Sequence, residues 1–137
     1  MTVQLAARDV TLPVLRRAWR EPVDPVLTAD DFERMAASER TVAEIVRNGT
    51  TAYGINTGFG LLAQTRIEPD QLERLQTNLL LSHAAGTGDA LPDEIVRLIL
   101  FLKIISLVQG RSGVRAVIVE TLSAFLRHEI YPVIPAK

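Results

Sequence analysis

Signals that start and end helices recur along this chain and divide it into five helical segments. A short amphipathic stretch follows Thr11, and a longer one follows Thr28, which together with Asp31 three residues later resembles a capping box. The longer segment extends to Gly49, and a glycine is the residue expected just beyond a helix end. Two prolines keep the link between the two segments extended.

The second half of the chain continues the pattern with three more helices. Pro69 suits the first position of the third helix, and Pro92 opens the fourth. Gly110 closes the fourth helix and Ser112 can cap the fifth, in which apolar residues recur at helical spacing. The sequence therefore predicts an all-α fold of about five helices, a single helical domain over residues 1–137 with one glycine-rich loop.

The composition narrows the choice of partner. Of the 137 residues 47% are apolar and 23% charged, which predicts a globular chain, and a net charge of −1 argues against nucleic acid or an anionic membrane. The apolar run 95–108 is interrupted by Arg97 and Lys103 and predicts a buried helix, not a membrane span. The chain has no cysteine, which agrees with a cytoplasmic location. We expect a small molecule or another protein as the partner.

The octapeptide YGINTGFG, residues 53–60, predicts a functional loop between the second and third helices. Gly54, Gly58 and Gly60 can adopt positive φ, so the backbone can lie close to a ligand, but their spacing fits neither a dinucleotide fingerprint nor a phosphate loop. Tyr53 at the head of the loop is a candidate acid or base. Free tyrosine has a pKa of about 10, so a tyrosine base needs about 4 kcal/mol of help from its surroundings near neutral pH. The alternative is an ordered turn whose tyrosine packs as a lid.

His83 is the second candidate residue. It shares one face of the third helix with three leucines and precedes a glycine-rich exit, which predicts a half-buried imidazole facing the core or a cleft. The alternative is a histidine that satisfies helix-end carbonyls. Ser82 is not expected to meet it as a hydrolase pair, because adjacent helical residues diverge by about 100°. His128 is predicted to be a surface residue, and two distant histidines give no metal-site spacing.

The last seven residues, YPVIPAK, are extended and apolar, with two prolines that forbid a helix. The fourth helix is apolar nearly all round, and five helices of this size would not cover it alone. We therefore expect the chain to be the front part of a larger protein and to associate with itself when it is alone.

Four segments, in this order and spacing, resemble the histidine ammonia-lyases of the aromatic amino acid ammonia-lyase family. They are YGINTGFG at 53–60, LQTNLLLSHAAGTG at 75–88, GRSGVR at 110–115 and the terminal YPVIPAK. The order, spacing and residue types agree over nearly the whole stretch from Ala52 to Lys137, and the first 50 residues have a compatible helical pattern. The chain is therefore similar to the helical N-terminal part of these enzymes.

The resemblance implies an enzyme and assigns roles to three residues. Members of the family are mostly helical homotetramers that eliminate ammonia from an aromatic amino acid, and L-histidine yields trans-urocanate. Tyr53 matches the tyrosine that takes a proton from the β-carbon of the substrate. His83 matches the histidine that contacts the imidazole of the substrate, and Gly60 lies where the loop lines the pocket.

The resemblance also implies a cofactor that this chain does not encode. The family's electrophile, a methylidene-imidazolone, forms from an Ala-Ser-Gly triplet, which does not occur in the 137 residues. We therefore expect the chain alone to be inactive. Two alternatives stay open: a related tyrosine or phenylalanine ammonia-lyase or aminomutase, and a helical assembly module without chemistry.

Overall fold

The computed structural model describes residues 2–4 and 10–137, and it confirms the five predicted helices. Two short 3-10 turns, Gly60–Leu62 and Pro69–Gln71, lie between the second and third of them. The helices are α1 Leu12–Arg20, α2 Ala29–Asn48, α3 Leu72–His83, α4 Asp93–Leu107 and α5 Ala116–Arg127.

The link that the prolines mark contains a strand, which the sequence did not predict. Strand β2, Asp24–Val26, pairs in parallel with β1, Thr2–Gln4, and Val3 lies opposite Pro25. Proline has no N–H to donate, but each strand of a two-stranded sheet has a free edge on which a proline is tolerated. The prediction of an extended segment was right, and its partner strand was missed.

Local capping at the two ends of α2 is confirmed. The Thr28 hydroxyl accepts a hydrogen bond from the Asp31 N–H at 3.3 Å, and the Asp31 carboxylate accepts one from the Thr28 N–H at 2.8 Å. Gly49 ends the helix with a left-handed φ of 66°. The glycine-rich loop follows a few residues after this helix end.

The predicted cap of α5 is wrong. Residue Arg115 occupies the N-cap position and its side chain makes no capping hydrogen bond, so Ser112 does not cap the helix. Gly113 has a φ of 63°, and the left-handed turn there delays the start of the helix to Ala116.

The core is centred on α4, which packs between α1 and α5. Phe101 and Ile104 are fully buried on this helix, but Ile99 and Leu102 are exposed. The prediction of a buried helix therefore holds for one side of α4 only. Within the described ranges, no helix is long and apolar enough to cross a membrane.

The terminal segment is extended, as predicted, and pairs antiparallel with the chain that follows α3. The N–H of Leu91 donates to the carbonyl of Ile134 at 2.8 Å, and the N–H of Ala136 donates to the carbonyl of Asp89 at 2.9 Å. A side chain at Gly86 would lie 2.8 Å from the Pro135 ring, so a glycine allows this close approach. The pairing fixes the segment that leaves α3 just beyond His83.

Candidate functional site

Tyr53 lies at the tip of a tight turn that begins at Ala52, four residues after the end of α2 at Asn48. The carbonyl of Ala52 accepts a hydrogen bond from the N–H of Ile55 at 3.1 Å, and Gly54 has a φ of 77°. A positive φ at the third position only is the mark of a type II turn, which favours glycine there. The turn leaves 67% of Tyr53 exposed. No hydrogen bond to its hydroxyl occurs among the described residues.

The loop beneath Tyr53 is anchored by buried polar residues. Asn56 and Thr57 are both buried, and Thr57 forms an isolated antiparallel bridge with Arg66. The N–H of Gly58 donates to the carbonyl of Thr65 at 3.0 Å. These contacts close the loop on itself, so the exposed tyrosine stands on an ordered base.

Gly60 opens the first 3-10 turn with a φ of 57°. A Cβ added at this position would meet nothing within 4 Å. The backbone conformation, and not crowding, therefore favours a glycine here. Gly60 is exposed and is not among the residues that line the two cavities described below.

His83 is the last residue of α3 and is exposed, which corrects the prediction of a half-buried ring. Its Nδ1 lies 2.9 Å from the carbonyl oxygen of Leu79 and 3.0 Å from the hydroxyl oxygen of Ser82. The two side chains therefore come into contact although adjacent helical residues diverge, because both turn back toward the same carbonyl.

The contacts of these two residues do not form a hydrolase pair. The Ser82 hydroxyl donates to the Leu79 carbonyl at 3.1 Å, so its proton is already in use. Nδ1 of His83 also faces that carbonyl. A carbonyl accepts and cannot donate, so Nδ1 is the nitrogen that carries the proton when the ring is neutral. The lone pair of Nε2 is then left for a ligand.

A cavity of about 550 Å³ adjoins the imidazole, and we name it the His83 cavity. Its other walls are mainly apolar, with one amide that can form hydrogen bonds. They are Phe59, Gln76, Leu79, Leu80 and Ala84. An apolar chamber with a few polar groups suits a small planar ring.

Tyr53 lines a different cavity, of about 640 Å³, which we name the Tyr53 cavity. Its walls come from α2, from residues 53–55 and from residues 110–113. The start of the stretch GRSGVR, residues 110–113, therefore lines the same cavity as the tyrosine. The N–H of Gly113 donates to the Ser38 hydroxyl at 2.9 Å and docks this stretch on α2. Just before the stretch, Arg34 Nε of α2 donates to the carbonyl of Val108 at 3.3 Å.

Phe59 links Tyr53 to the His83 cavity, and the sequence analysis did not select it. Its ring packs edge-on against Tyr53 and also lines the His83 cavity. The sequence signal that could have identified Phe59 is its place between Gly58 and Gly60, in the motif that begins with Tyr53.

The described residues contain no group of three or more histidine, aspartate and glutamate side chains that could hold a metal ion. His128, predicted to be a surface residue, is exposed at the end of α5. The site described here consists of a phenol, an imidazole and the phenyl ring between them.

Sequence comparison gives the class of protein to which this site belongs. The profile of the aromatic amino acid lyase family matches residues 10–137. The chain belongs to the aromatic amino acid lyase family.

Among its relatives is the histidine ammonia-lyase of Salmonella schwarzengrund, to which the chain is 51% identical over 136 residues. The aligned residues make up 99% of this chain and 27% of that protein. The structure of histidine ammonia-lyase from Trypanosoma cruzi matches with a TM-score of 0.87 and 33% identity, over 100% of this chain and 27% of that one. The chain spans about a quarter of the length of the curated relatives it matches.

A protein with a different activity in its name is similarly close in fold. Tyrosine aminomutase from Streptomyces globisporus matches with a TM-score of 0.90 and 28% identity, over 98% of this chain and 26% of that one. The fold is therefore common to proteins of both names, and sequence identity is higher to the histidine ammonia-lyases.

Proposed function

We propose that this chain forms part of an ammonia-lyase that converts L-histidine to trans-urocanate and ammonia. The observation that carries the proposal is the 51% identity to a histidine ammonia-lyase over almost the whole chain. The His83 cavity supports it, because its apolar walls suit a ring and its imidazole can form a hydrogen bond with the ring nitrogens of the substrate.

In this proposal Tyr53 is the catalytic base. The phenolate form of Tyr53 takes a proton from the β-carbon of the substrate and becomes the phenol, the electron pair of that C–H bond forms the new double bond, and ammonia leaves with the electrons of the C–N bond. An exposed hydroxyl with no hydrogen-bond partner among the described residues can approach a substrate without first breaking an internal contact. His83 orients the substrate ring, and Gly60 lines the pocket.

The methylidene-imidazolone of this family, when present, supplies the electrophile for the elimination. Its precursor triplet does not occur in the 137 residues, so none of them fits as its source, and the proposed roles are limited to the side chains named above. We predict that the 137-residue chain alone does not form urocanate.

A homotetramer and a cytoplasmic location complete the proposal, with residues 1–137 as one helical domain of the subunit. Support for assembly comes from large apolar side chains that this chain alone leaves exposed. They include Leu61, Leu80, Leu81 and Val133. Contiguous exposed apolar surface is typical of an interface. The absence of cysteine in the sequence agrees with a reducing compartment.

One observation favours a second candidate, an enzyme that uses the same fold on tyrosine or phenylalanine. The TM-score to the tyrosine aminomutase, 0.90, is slightly above that to the Trypanosoma cruzi histidine ammonia-lyase, 0.87. Substrate preference separates the two candidates, because the ring of phenylalanine offers His83 no hydrogen-bonding group, and tyrosine offers only a hydroxyl at the far end of its ring.

A chimera tests the proposal. Residues of this chain replace the matching 136 residues of the Salmonella schwarzengrund histidine ammonia-lyase, and the ultraviolet absorbance of the unsaturated acid is followed with L-histidine, L-tyrosine and L-phenylalanine. We expect urocanate formation and little product from the other two. A chimera that assembles as the Salmonella enzyme does but prefers tyrosine, or forms no urocanate, would overturn the proposal.

A further inference from the structure

The side chain of Asn56 forms hydrogen bonds with two backbone positions at the start of the Tyr53 turn, Thr50 and Ala52. Its Oδ1 accepts a hydrogen bond from the N–H of Ala52 at 2.8 Å, and its Nδ2 donates one to the carbonyl of Thr50 at 2.9 Å. The partners fix the orientation of the amide, since an N–H can only donate and a carbonyl can only accept. Only 3% of Asn56 is exposed, so water does not compete with these bonds.

The backbone of the same residue ties the two ends of the loop together. The N–H of Asn56 donates to the carbonyl of Ala52 at 3.2 Å, and its carbonyl accepts from the N–H of Ile67 at 2.8 Å. Both polar backbone groups of Ala52, the residue directly before Tyr53, are therefore bonded to Asn56. Loss of the Asn56 side chain therefore frees the backbone N–H of Ala52, the residue directly before Tyr53.

We infer that Asn56 is a positioning residue for Tyr53, an inference that rests on the proposed role of Tyr53 as the base. The phenol makes no hydrogen bond of its own within the described residues, and its one recorded ring contact is with Phe59. Its location is thus set mainly by the turn, and the turn is held by Asn56. Displacement of a reacting group by about 1 Å can cost roughly 100-fold in rate.

Thr57 offers a matched control beside Asn56. It is also buried, with 1% exposed, and lies in the same loop. Its hydroxyl donates to the carbonyl of Gly58 at 3.0 Å and does not hold Ala52. Thr57→Val therefore removes a buried polar group of the loop without releasing the turn.

The kinetic test uses the chimera. Asn56→Ala should lower kcat for L-histidine by roughly 10- to 100-fold while KM changes by less than about threefold, because the His83 cavity is untouched. Thr57→Val should keep kcat within about twofold of the unchanged chimera. Asn56→Asp keeps the size of the side chain and the acceptor for Ala52, and it replaces the alanine variant if that one does not fold; it should lower kcat in the same direction. An unchanged kcat in a folded Asn56 variant would overturn the inference.

A second readout does not depend on activity. The 137-residue chain contains two tyrosines, so incorporation of 3-fluorotyrosine gives two fluorine resonances, and Tyr53→Phe assigns them. Asn56→Ala should shift or broaden the resonance of Tyr53 and leave that of Tyr131 in place, and Thr57→Val should move neither. An unmoved Tyr53 resonance would overturn the inference. If the unchanged chimera forms no urocanate, the proposed function fails, and the resonance of Tyr53 still decides whether Asn56 holds the turn.

Discussion

The ring of Phe59 meets the ring of Tyr53 edge-on, with the centroids 5.7 Å apart and the planes inclined by 67°. Edge-to-face pairs of this kind contribute about 0.5–1.5 kcal/mol beyond simple burial. Phe59 also lines the His83 cavity. One phenyl ring therefore touches the proposed base and forms a wall of the chamber proposed for the substrate ring.

Replacement of Phe59 by leucine should lower kcat and raise KM together in the chimera. The loss of the edge-on contact frees Tyr53, and the smaller side chain reshapes the His83 cavity, so kcat/KM should fall about tenfold. Steady-state kinetics with L-histidine measure both constants. Gln64→Ala is the control, because Gln64 is exposed in the same loop. A change in only one of the two constants would show that Phe59 does not act both on Tyr53 and on the His83 cavity.

Tyr53→Phe should remove most of the turnover and leave folding nearly unchanged. Only the phenolic oxygen is lost, and since it has no hydrogen-bond partner among the described residues, the free energy of unfolding should change by less than about 0.5 kcal/mol. The loss of a general base lowers kcat by roughly 100-fold or more. Tyr131→Phe makes the same chemical change at a distance from the loop and should keep normal turnover. Normal turnover in Tyr53→Phe would assign the base to another residue.

Much of the helical fold could be predicted because its signals are local. The Thr28 capping box and the left-handed Gly49 depend on residues within one turn of each other, so the sequence contains the whole interaction. The pairing of β1 with β2 joins segments about twenty residues apart. No local pattern marks such a contact, and that strand was missed.

The candidate site was predicted less completely than the fold. Tyr53 and His83 were selected by motif, but the exposure of His83 depends on whether another element covers α3, which helical periodicity cannot show. The approach of Ser82 to His83 depends on side-chain rotamers that both favour the Leu79 carbonyl. The role of Asn56 could not be predicted without the folded loop, because its side chain bonds back to Thr50 and Ala52 while its carbonyl accepts from Ile67.

His83→Ala should raise KM for L-histidine by about tenfold and change kcat less. The imidazole is proposed to hold the substrate ring and takes no part in bond breaking, so its loss mainly weakens binding. One lost hydrogen bond accounts for about this factor. His128→Ala is the matched control on the surface of α5. An unchanged KM in His83→Ala would mean that another group holds the substrate ring.

Arg97 should be the most sensitive charged residue for stability. It is buried in α4 and donates to the carbonyls of Ala18, at 2.7 Å, and Trp19 at the end of α1. Its guanidinium also lies 5.8 Å from the centroid of the Tyr131 ring. Arg97→Met leaves both carbonyls without their donor and should lower the free energy of unfolding by about 2–4 kcal/mol.

Urea unfolding of the 137-residue chain, followed by circular dichroism, measures the effect of the Arg97 change. Arg97→Lys should recover only part of the loss, because an ammonium group lacks the planar fork that serves two carbonyls. Arg127→Met removes an arginine from an exposed ion pair with Asp24 and should cost less than about 1 kcal/mol. Equal costs at Arg97 and Arg127 would contradict the role of Arg97 in holding α1 on α4.

Alanine substitutions at Gly113 and Gly60 should separate crowding from backbone strain. Both glycines have positive φ, 63° and 57°, so each substitution costs about 1–2 kcal/mol from backbone conformation alone. A Cβ at Gly113 would lie 2.3 Å from Cγ2 of Val42, whereas one at Gly60 meets nothing within 4 Å. Gly113→Ala should therefore destabilise the chain by about 1–3 kcal/mol more than Gly60→Ala.

The same unfolding measurement on a double variant identifies the cause of that difference. Val42→Ala removes the methyl groups that the new Cβ would strike, so Gly113→Ala should cost no more in the Val42→Ala background than Gly60→Ala costs in the native one. Equal costs for the two glycines in the native background would mean that α2 and the turn after α4 move apart freely. In that case the docking of residues 110–113 on α2 would not hold the wall of the Tyr53 cavity in place.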